Sequence, residues 1–312
     1  MSASPAAVAF PARERAFRWR PAGRDVVLVA NGSASGVGRS REALEHARSA
    51  LSRWGVRVEA HRTESLAQLA AEWPEFGERR VVLLGGDGTV HAAANLPFGA
   101  AELAILPAGR ANNVARALGI PLDLAEAARL ATEGRARPLD VISASSPTRS
   151  YRAVEGVSVG FHALARASYR APNSADVRAA VRSALRAARR FEGVTLCVAS
   201  NGVSELLTVG QLFVANLPLY AFGLRVAPRA RPDDGLLDVV SLPWEGRARL
   251  IPTLGRLRRG THVRRPGTRI WTAARVRIAT GGNSPVIADT TNLGTGPVTL
   301  EVESGALGVV AP

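Results

Sequence analysis

The chain has 312 residues, 46% of them hydrophobic, which is room for about two domains with substantial cores. Its formal net charge is +14 and every basic side chain is arginine; without a lysine it cannot be a Walker-type NTPase, whose phosphate loop requires one. The single cysteine, Cys197, excludes an intrachain disulfide and a cysteine-rich metal site, and no run of eighteen apolar residues is present to span a membrane as a helix.

In chain order, residues 1–24 are rich in Ala, Pro and Arg and lack the basic-then-apolar order of a secretory signal; they read as a flexible leader. An apolar strand at 26–30 runs into the turn-rich loop Asn31-Gly32-Ser33-Ala34-Ser35-Gly36. A helical pattern follows at 39–54, a strand at 56–60 and a second helix at 64–73. The third strand, 81–84, ends in Gly85-Gly86-Asp87-Gly88-Thr89. A fourth, 103–106, ends in Pro107-Ala108-Gly109-Arg110-Ala111-Asn112-Asn113. Helices at 114–118, stopped by Gly119 and Pro121, and at 122–132 complete a βα alternation over 25–138. Such alternation predicts a mostly parallel sheet with helices on both faces.

From 139 to 312 the texture changes to strand-like runs, at 139–142, 151–159, 194–198, 206–215 and 236–242, which predicts a second, β-rich domain. Cys197 falls in the apolar run 194–199 and is expected to be a core thiol, in keeping with a cytoplasmic protein. One helix interrupts the strands at 175–191. Arg178, Arg182, Arg186 and Arg190 recur every four residues on it, with Val177, Val181, Ala184, Leu185 and Ala188 expected on the opposite, buried side. Such a basic stripe suits an anionic membrane surface or, more simply, a solvated face. A second basic cluster, 256–266, contains Gly260 and Pro266, which argue against a rigid helix, and no aromatic residue. Nucleic acid, which wants stacking aromatics beside charge, is therefore not expected as a partner.

The segment 85–89 carries the chemistry. Glycines at the end of a buried parallel strand let the backbone turn sharply and a ligand come close. Asp87 can hold a Mg²⁺ through water or orient a hydroxyl, and Thr89 can donate to a phosphate oxygen. His91 is expected to pack locally at the start of the next helix, and His162 to sit at a strand end facing the cleft.

Taken together, the Asn31 loop, GGDGTV, the loop ending in Asn112-Asn113, Val214-Ala215-Asn216, Ala227-Pro228-Arg229-Ala230 and Pro232-Asp233-Asp234-Gly235-Leu236-Leu237-Asp238 form an ordered set. It resembles the diacylglycerol kinase catalytic family, which includes bacterial diacylglycerol kinase-like lipid kinases and sphingosine and ceramide kinases. GGDGT alone is shared with phosphofructokinases and NAD kinases; its combination with the later segments is far more specific. The resemblance implies an α/β nucleotide-binding domain of the phosphofructokinase/NAD kinase type and a β-sandwich-like second domain. It also implies a C-terminal strand that returns to the first domain.

The implied reaction moves the γ-phosphoryl group of ATP to a lipid hydroxyl with Mg²⁺. Gly85, Gly86, Asp87, Gly88 and Thr89, with Asn31, Ser35, Gly109, Arg110, Asn112 and Asn113, would then meet the nucleotide. Asp289 would be the general base, and Asp234 and Asp238 would hold a structural Mg²⁺. The protein would be cytoplasmic, touching the inner, anionic face of the membrane. No linear motif names the acceptor or an oligomeric state.

Three departures from the family pattern stand out. Arg110 replaces a usual threonine, Ala92 a frequent glutamate, and Thr290-Thr291 the glycine and glutamate that follow the base. Two other readings stay open on these grounds: a catalytically degenerate nucleotide- or lipid-binding regulator, and a kinase of a soluble acceptor.

Overall fold

The computed structural model describes residues 25–31, 41–96, 102–169, 177–282 and 284–312. The leader and Ser35 lie outside the described residues. The first half alternates as predicted: β1 (Asp25–Asn31), α1 (Arg41–Ser52), β2 (Arg57–Thr63), α2 (Leu66–Glu72), β3 (Arg80–Gly85), α3 (Asp87–Ala94), β4 (Glu102–Pro107), α4 (Asn113–Ala117) and α5 (Leu124–Glu133). Strands β2, β1, β3 and β4 are neighbours in that order and all parallel. Alternate residues of β1 feed opposite cores. Val27 and Val29 join Leu69, Trp73, Phe76 and Val90, whereas Val26, Leu28 and Ala30 join Leu44, Leu51 and Ala128. Burial on both faces is why these strands read as unbroken apolar runs. Capping sets two helix starts: the Ser65 hydroxyl accepts the Gln68 N–H, and the Asp123 carboxylate accepts those of Ala125 and Glu126.

The second half contains β5 (Arg135–Ser146), β6 (Arg149–Ala153), β7 (Gly156–Gly160), α6 (Phe161–Ala167), α7 (Val177–Arg190), β8 (Val194–Ser200), β9 (Val203–Ala215), β10 (Leu237–Pro243), α8 (Leu250–Arg259), β11 (Arg269–Ala273), β12 (Arg275–Thr280), β13 (Val286–Ala288), β14 (Thr291–Asn292) and β15 (Val298–Ala311). Its strands pair antiparallel around a core that includes Ile142, Val157, Leu196, Leu212, Val239, Ile278 and Leu300. The long β9 pairs with β8 along its first part and β7 along its second, with β10 on its other edge. The long β15 runs antiparallel to β5 and, at Gly308 and Val309, parallel to β4. It joins the two sheets. No helix among the described residues is long and apolar enough to cross a membrane.

Four local expectations change. The run 151–159 breaks between β6 and β7, because the Asp289 carboxylate takes the N–H groups of Val154, Glu155 and Gly156. The segment 256–259 is helical, the end of α8. Gly260 (φ 69) forms its left-handed C-cap and ends the helix without preventing it. Cys197 is half-buried, its Sγ 3.2 Å from Ser204 Oγ; on β8 it is Val194, Leu196 and Val198 that point into the core. Finally, α7 buries a small-residue stripe, Ala179, Ser183 and Ala187, and leaves Val181 and Leu185 beside its arginines in solvent. The Ser183 hydroxyl donates to the Ala165 carbonyl of α6, and only small side chains permit that close an approach.

Candidate active site

Strand β3 delivers the glycine loop to the carboxyl edge of the parallel sheet, level with Asn31 at the end of β1, since Ala30 pairs with Leu84 and Gly85 with Pro107. Helix α3 starts on Gly86 with no side-chain cap, so its leading N–H groups remain available to an anion. The loop after β4 lies directly against it. A Cβ on Gly109 would stand 2.5 Å from the Gly86 Cα and 2.7 Å from Asn112 Oδ1, so only glycine fits. Around Gly88, by contrast, a Cβ would meet nothing within 4 Å. Glycine in a first helical turn, with no neighbour requiring it, marks a space kept clear.

The described residues of the glycine loop and of the loop after β4 take definite places. Asp87 is half-buried and its Oδ1 accepts the Val114 N–H at 3.0 Å, tying α3 to α4. Arg110 is exposed on the rim of this crevice. Asn112 is left-handed (φ 49) and spends its amide on Gly109, accepting the Gly109 N–H at 3.0 Å and donating to the Gly109 carbonyl at 2.9 Å. It shapes the loop. Thr89 is buried, with its Oγ1 against Gly85 and no protein partner.

Behind the loops lies a buried polar junction between the two halves of the chain. His91 Nε2 is 3.0 Å from Glu155 Oε1 and 3.7 Å from Asp289 Oδ2. Asn113 donates its amide to Glu155 Oε2 at 2.9 Å. His91 Nδ1 and Asn113 Oδ1 are buried without a protein partner. Asp289, at φ 49, has a fully buried side chain whose oxygens hold the three N–H groups of 154–156. The carboxylate expected as the general base clamps the backbone at 154–156 in this structure. Thr291, in place of the family's glutamate, hydrogen-bonds the Tyr151 side chain. Sequence reasoning missed Glu155 and Asn113's tie to it, although a carboxylate inside the apolar run Val154-Glu155-Gly156-Val157 is itself a signal.

Burial pulls His91 down, but the charges of Asp289 and Glu155 overcome it and push its pKa from 6.5 up to about 9. Burial is also the largest influence on Glu155, and raises it. A group raised on folding stabilises fully below its unfolded pKa and loses that contribution as pH climbs through the folded value. The His91 contribution is therefore complete below about pH 6.5 and lost through about pH 9, and it is worth on the order of 3 kcal/mol. Glu155 acts in the same direction at lower pH. Urea unfolding at intervals across that window should show the native protein weakening with pH, and the His91→Gln variant weakening less. Equal slopes would rule out the charged pair.

His162 lies in the first turn of α6. Its Nδ1 lies 2.9 Å from Ser158 Oγ, its ring packs on Tyr220, and burial, then the Arg166 charge, lower its pKa to about 4. The two carboxylates of the expected metal pair differ in setting. Asp234 is exposed and accepts the Leu236 N–H of its own turn. Asp238 is buried in β10, its pKa raised to about 6 by desolvation and then by Asp234. Among the described residues no group of three or more His, Cys, Asp or Glu could hold a metal. The turn is anchored by Asp140, which accepts the N–H groups of Gly235 at 2.8 Å and Gly305 at 2.7 Å.

A strand, glycine loop and helix at the carboxyl edge of a parallel sheet, backed by a β-sandwich, define a kinase fold of the nucleotide-binding α/β type. Residues 25–144 match the diacylglycerol kinase catalytic domain and residues 155–311 the YegS C-terminal NAD kinase beta sandwich-like domain. A Pseudomonas aeruginosa (strain UCBPP-PA14) protein named "Probable lipid kinase YegS-like" is 31% identical over 241 residues, 74% of this chain and 76% of that one. In fold, the chain is similar to a diacylglycerol kinase from Bacillus anthracis strain Sterne, with TM-score 0.67, 19% identity, and 93% and 97% of the two chains covered. It is also similar to an NAD kinase from Archaeoglobus fulgidus solved with ATP, with TM-score 0.50, 15% identity and 91% of each covered. The chain belongs to the YegS-like lipid kinases of the diacylglycerol kinase family, and is a phosphotransferase.

Proposed function

We propose that the chain transfers the γ-phosphoryl group of Mg-ATP to a lipid hydroxyl, diacylglycerol-like or sphingoid, at the inner face of the membrane. The observation that carries this reading is the clear space over Gly88, bounded by the uncapped start of α3 and the Gly109 loop, with Asp87 at its side. Those residues fit a nucleotide. Its phosphates would lie on the α3 N–H groups, with Asn31 toward the rest of the nucleotide and Arg110 at the rim. Mg²⁺, usually held by one or two carboxylates plus phosphates, would take Asp87 and no all-protein cage. The bound Mg-ATP supplies the electrophilic phosphorus and neutralises its charge.

The chain's own residues orient and deprotonate the acceptor. Asn112 sets the loop, and Asn113 and His91 hold Glu155. Asp289, beside Glu155, would take the acceptor proton on letting go of an N–H group of 154–156. One observation favours a binding protein instead: both carboxylates are buried and already engaged.

Phosphoryl transfer from Mg-ATP to a panel of lipids in mixed micelles, with NAD as a soluble comparator, separates the readings. Transfer to a lipid is the expected result. Tight Mg-ATP binding with no transfer to any lipid would establish the regulator, and transfer to NAD alone would make it a soluble-acceptor kinase.

A further inference from the structure

Asp289 stands in a left-handed backbone conformation (φ 49), uncommon for a residue with a side chain. With Thr290 it makes the two-residue turn between β13 and β14, since Ala288 pairs with Thr291. The amino side of the residue and its carboxylate are held by one segment. The Asp289 N–H donates to the Gly156 carbonyl at 2.9 Å, and the carboxylate accepts the N–H groups of Val154, Glu155 and Gly156. The Asp289 carbonyl is held by another element: the Tyr220 hydroxyl reaches it at 3.1 Å. A carbonyl only accepts, so the phenol proton points at Asp289.

Tyr220 is itself fixed in place. Its N–H and carbonyl both bond to Leu224 at 2.9 Å, closing a turn in which Ala221 (φ 38) and Phe222 (φ 59) are left-handed too. Its buried ring stands edge-on to His162 at 5.2 Å and to Phe213 at 5.8 Å. The ring also lies against the clamped segment, where a Cβ on Gly156 would meet the Val214 carbonyl at 2.9 Å and Tyr220 Cδ2 at 3.6 Å. Burial holds the phenol well above its usual 10, so the donor proton stays on. A second polar neighbour, Ser158 Oγ, is 3.4 Å from the hydroxyl and 2.9 Å from His162 Nδ1. At its other end the turn borders the candidate site, where a Cβ on Gly223 would stand 4.0 Å from the buried Asn113 Oδ1.

To accept a proton, the Asp289 carboxylate must let go of an N–H group, and with it part of what keeps the residue left-handed. The Tyr220 bond is made to the main chain and survives that release. We propose that Tyr220 is a positioning residue for phosphoryl transfer: its hydroxyl locks the Asp289 main chain, so that the carboxylate leaves the 154–156 clamp without the turn relaxing. This role depends on the proposed reaction, in which Asp289 takes the acceptor proton; the lock itself is a property of the folded chain without nucleotide.

Tyr220→Phe keeps the ring and removes only the donor, and two measurements on the full chain test the role. The first is hydrogen exchange of the amides of 154–156 without ligand, which should be about ten-fold faster in the variant than in the native protein. The second is the initial rate with Mg-ATP and the micellar lipids that the native chain phosphorylates. Tyr220→Phe should lower kcat about ten-fold with both KM values unchanged, and cost nothing beyond the residual rate of Asp289→Asn when the two are combined. Ser158→Ala, which spares the Tyr220–Asp289 bond, should match the native protein in exchange and in rate. Native exchange at 154–156 in Tyr220→Phe would overturn the inference. So would an equal rate loss with and without the Asp289 carboxylate, the sign of a merely structural role, or an equal loss in Ser158→Ala. A fully active Tyr220→Phe beside a crippled Asp289→Asn would overturn it too, and leave the kinase reading standing. A native chain that phosphorylates no lipid would instead remove the kinase reading, and with it the positioning role in transfer, while the exchange rates still decide the lock.

Discussion

Asp87→Asn should fold like the native protein and lose phosphoryl transfer by roughly a thousand-fold or more, the scale seen when a preorganised charge in a reaction site is removed. The substitution isolates charge from structure. The Val114 N–H needs only an oxygen at 3.0 Å, and an asparagine Oδ1 supplies it, so α3 stays tied to α4. What disappears is the negative charge beside the open space at Gly88. Asp87→Ala removes both, and should add a modest loss of stability to the same loss of activity. Melting temperature and initial rate, measured side by side, check the pair. An active, fully folded Asp87→Asn enzyme would remove Asp87 from the metal and phosphate site.

Arg80→Ala should cost about 3–5 kcal/mol of stability, the penalty for stripping one partner from a buried ion pair. Arg80 starts β3 with a side chain only 7% exposed, and Glu102 starts the neighbouring β4 at 4%. Its Nε and Nη2 both reach Glu102 Oε2, at 2.9 and 2.6 Å. The remaining donors close the end of α5, reaching the carbonyls of Ala131 at 2.7 Å, Thr132 at 3.1 Å and Gly134 at 3.0 Å. Those are terminal helix carbonyls with no partners within the helix. Truncation leaves them and the Glu102 carboxylate buried and unpaired. Glu102→Gln/Arg80→Met, which removes both charges, should recover much of the loss; chemical denaturation of the three chains measures it. A cost below about 1 kcal/mol for Arg80→Ala would mean that the pair behaves like an exposed one.

Much of the fold is local and therefore legible. The βα alternation of 25–138 is written in consecutive apolar runs and their glycine stops, because a strand buried on both faces must be apolar along its length. The glycine loop was equally visible, since the three glycines that make room for it are adjacent. The helix at 175–191 was visible too, but not the side it buries. Arginine periodicity suggested an apolar face inward, yet a helix that must lie close on α6 buries its smallest residues, Ala179, Ser183 and Ala187.

The sequence by itself determined the parallel sheet, the two glycine-bearing loops at its carboxyl edge, the β-rich second half and the charge carried entirely by arginine. Each is a property of neighbours in the chain. Only the tertiary structure decided the partners of His91, which lie 64 positions away at Glu155, and the clamp that Asp289 places on Glu155 from 134 positions away. It likewise decided that Asn112 shapes its own loop and that Thr89 faces β3. A buried charge is stable only with a partner, and the partner comes from whichever segment the fold brings into contact. No spacing along one strand or helix records that choice.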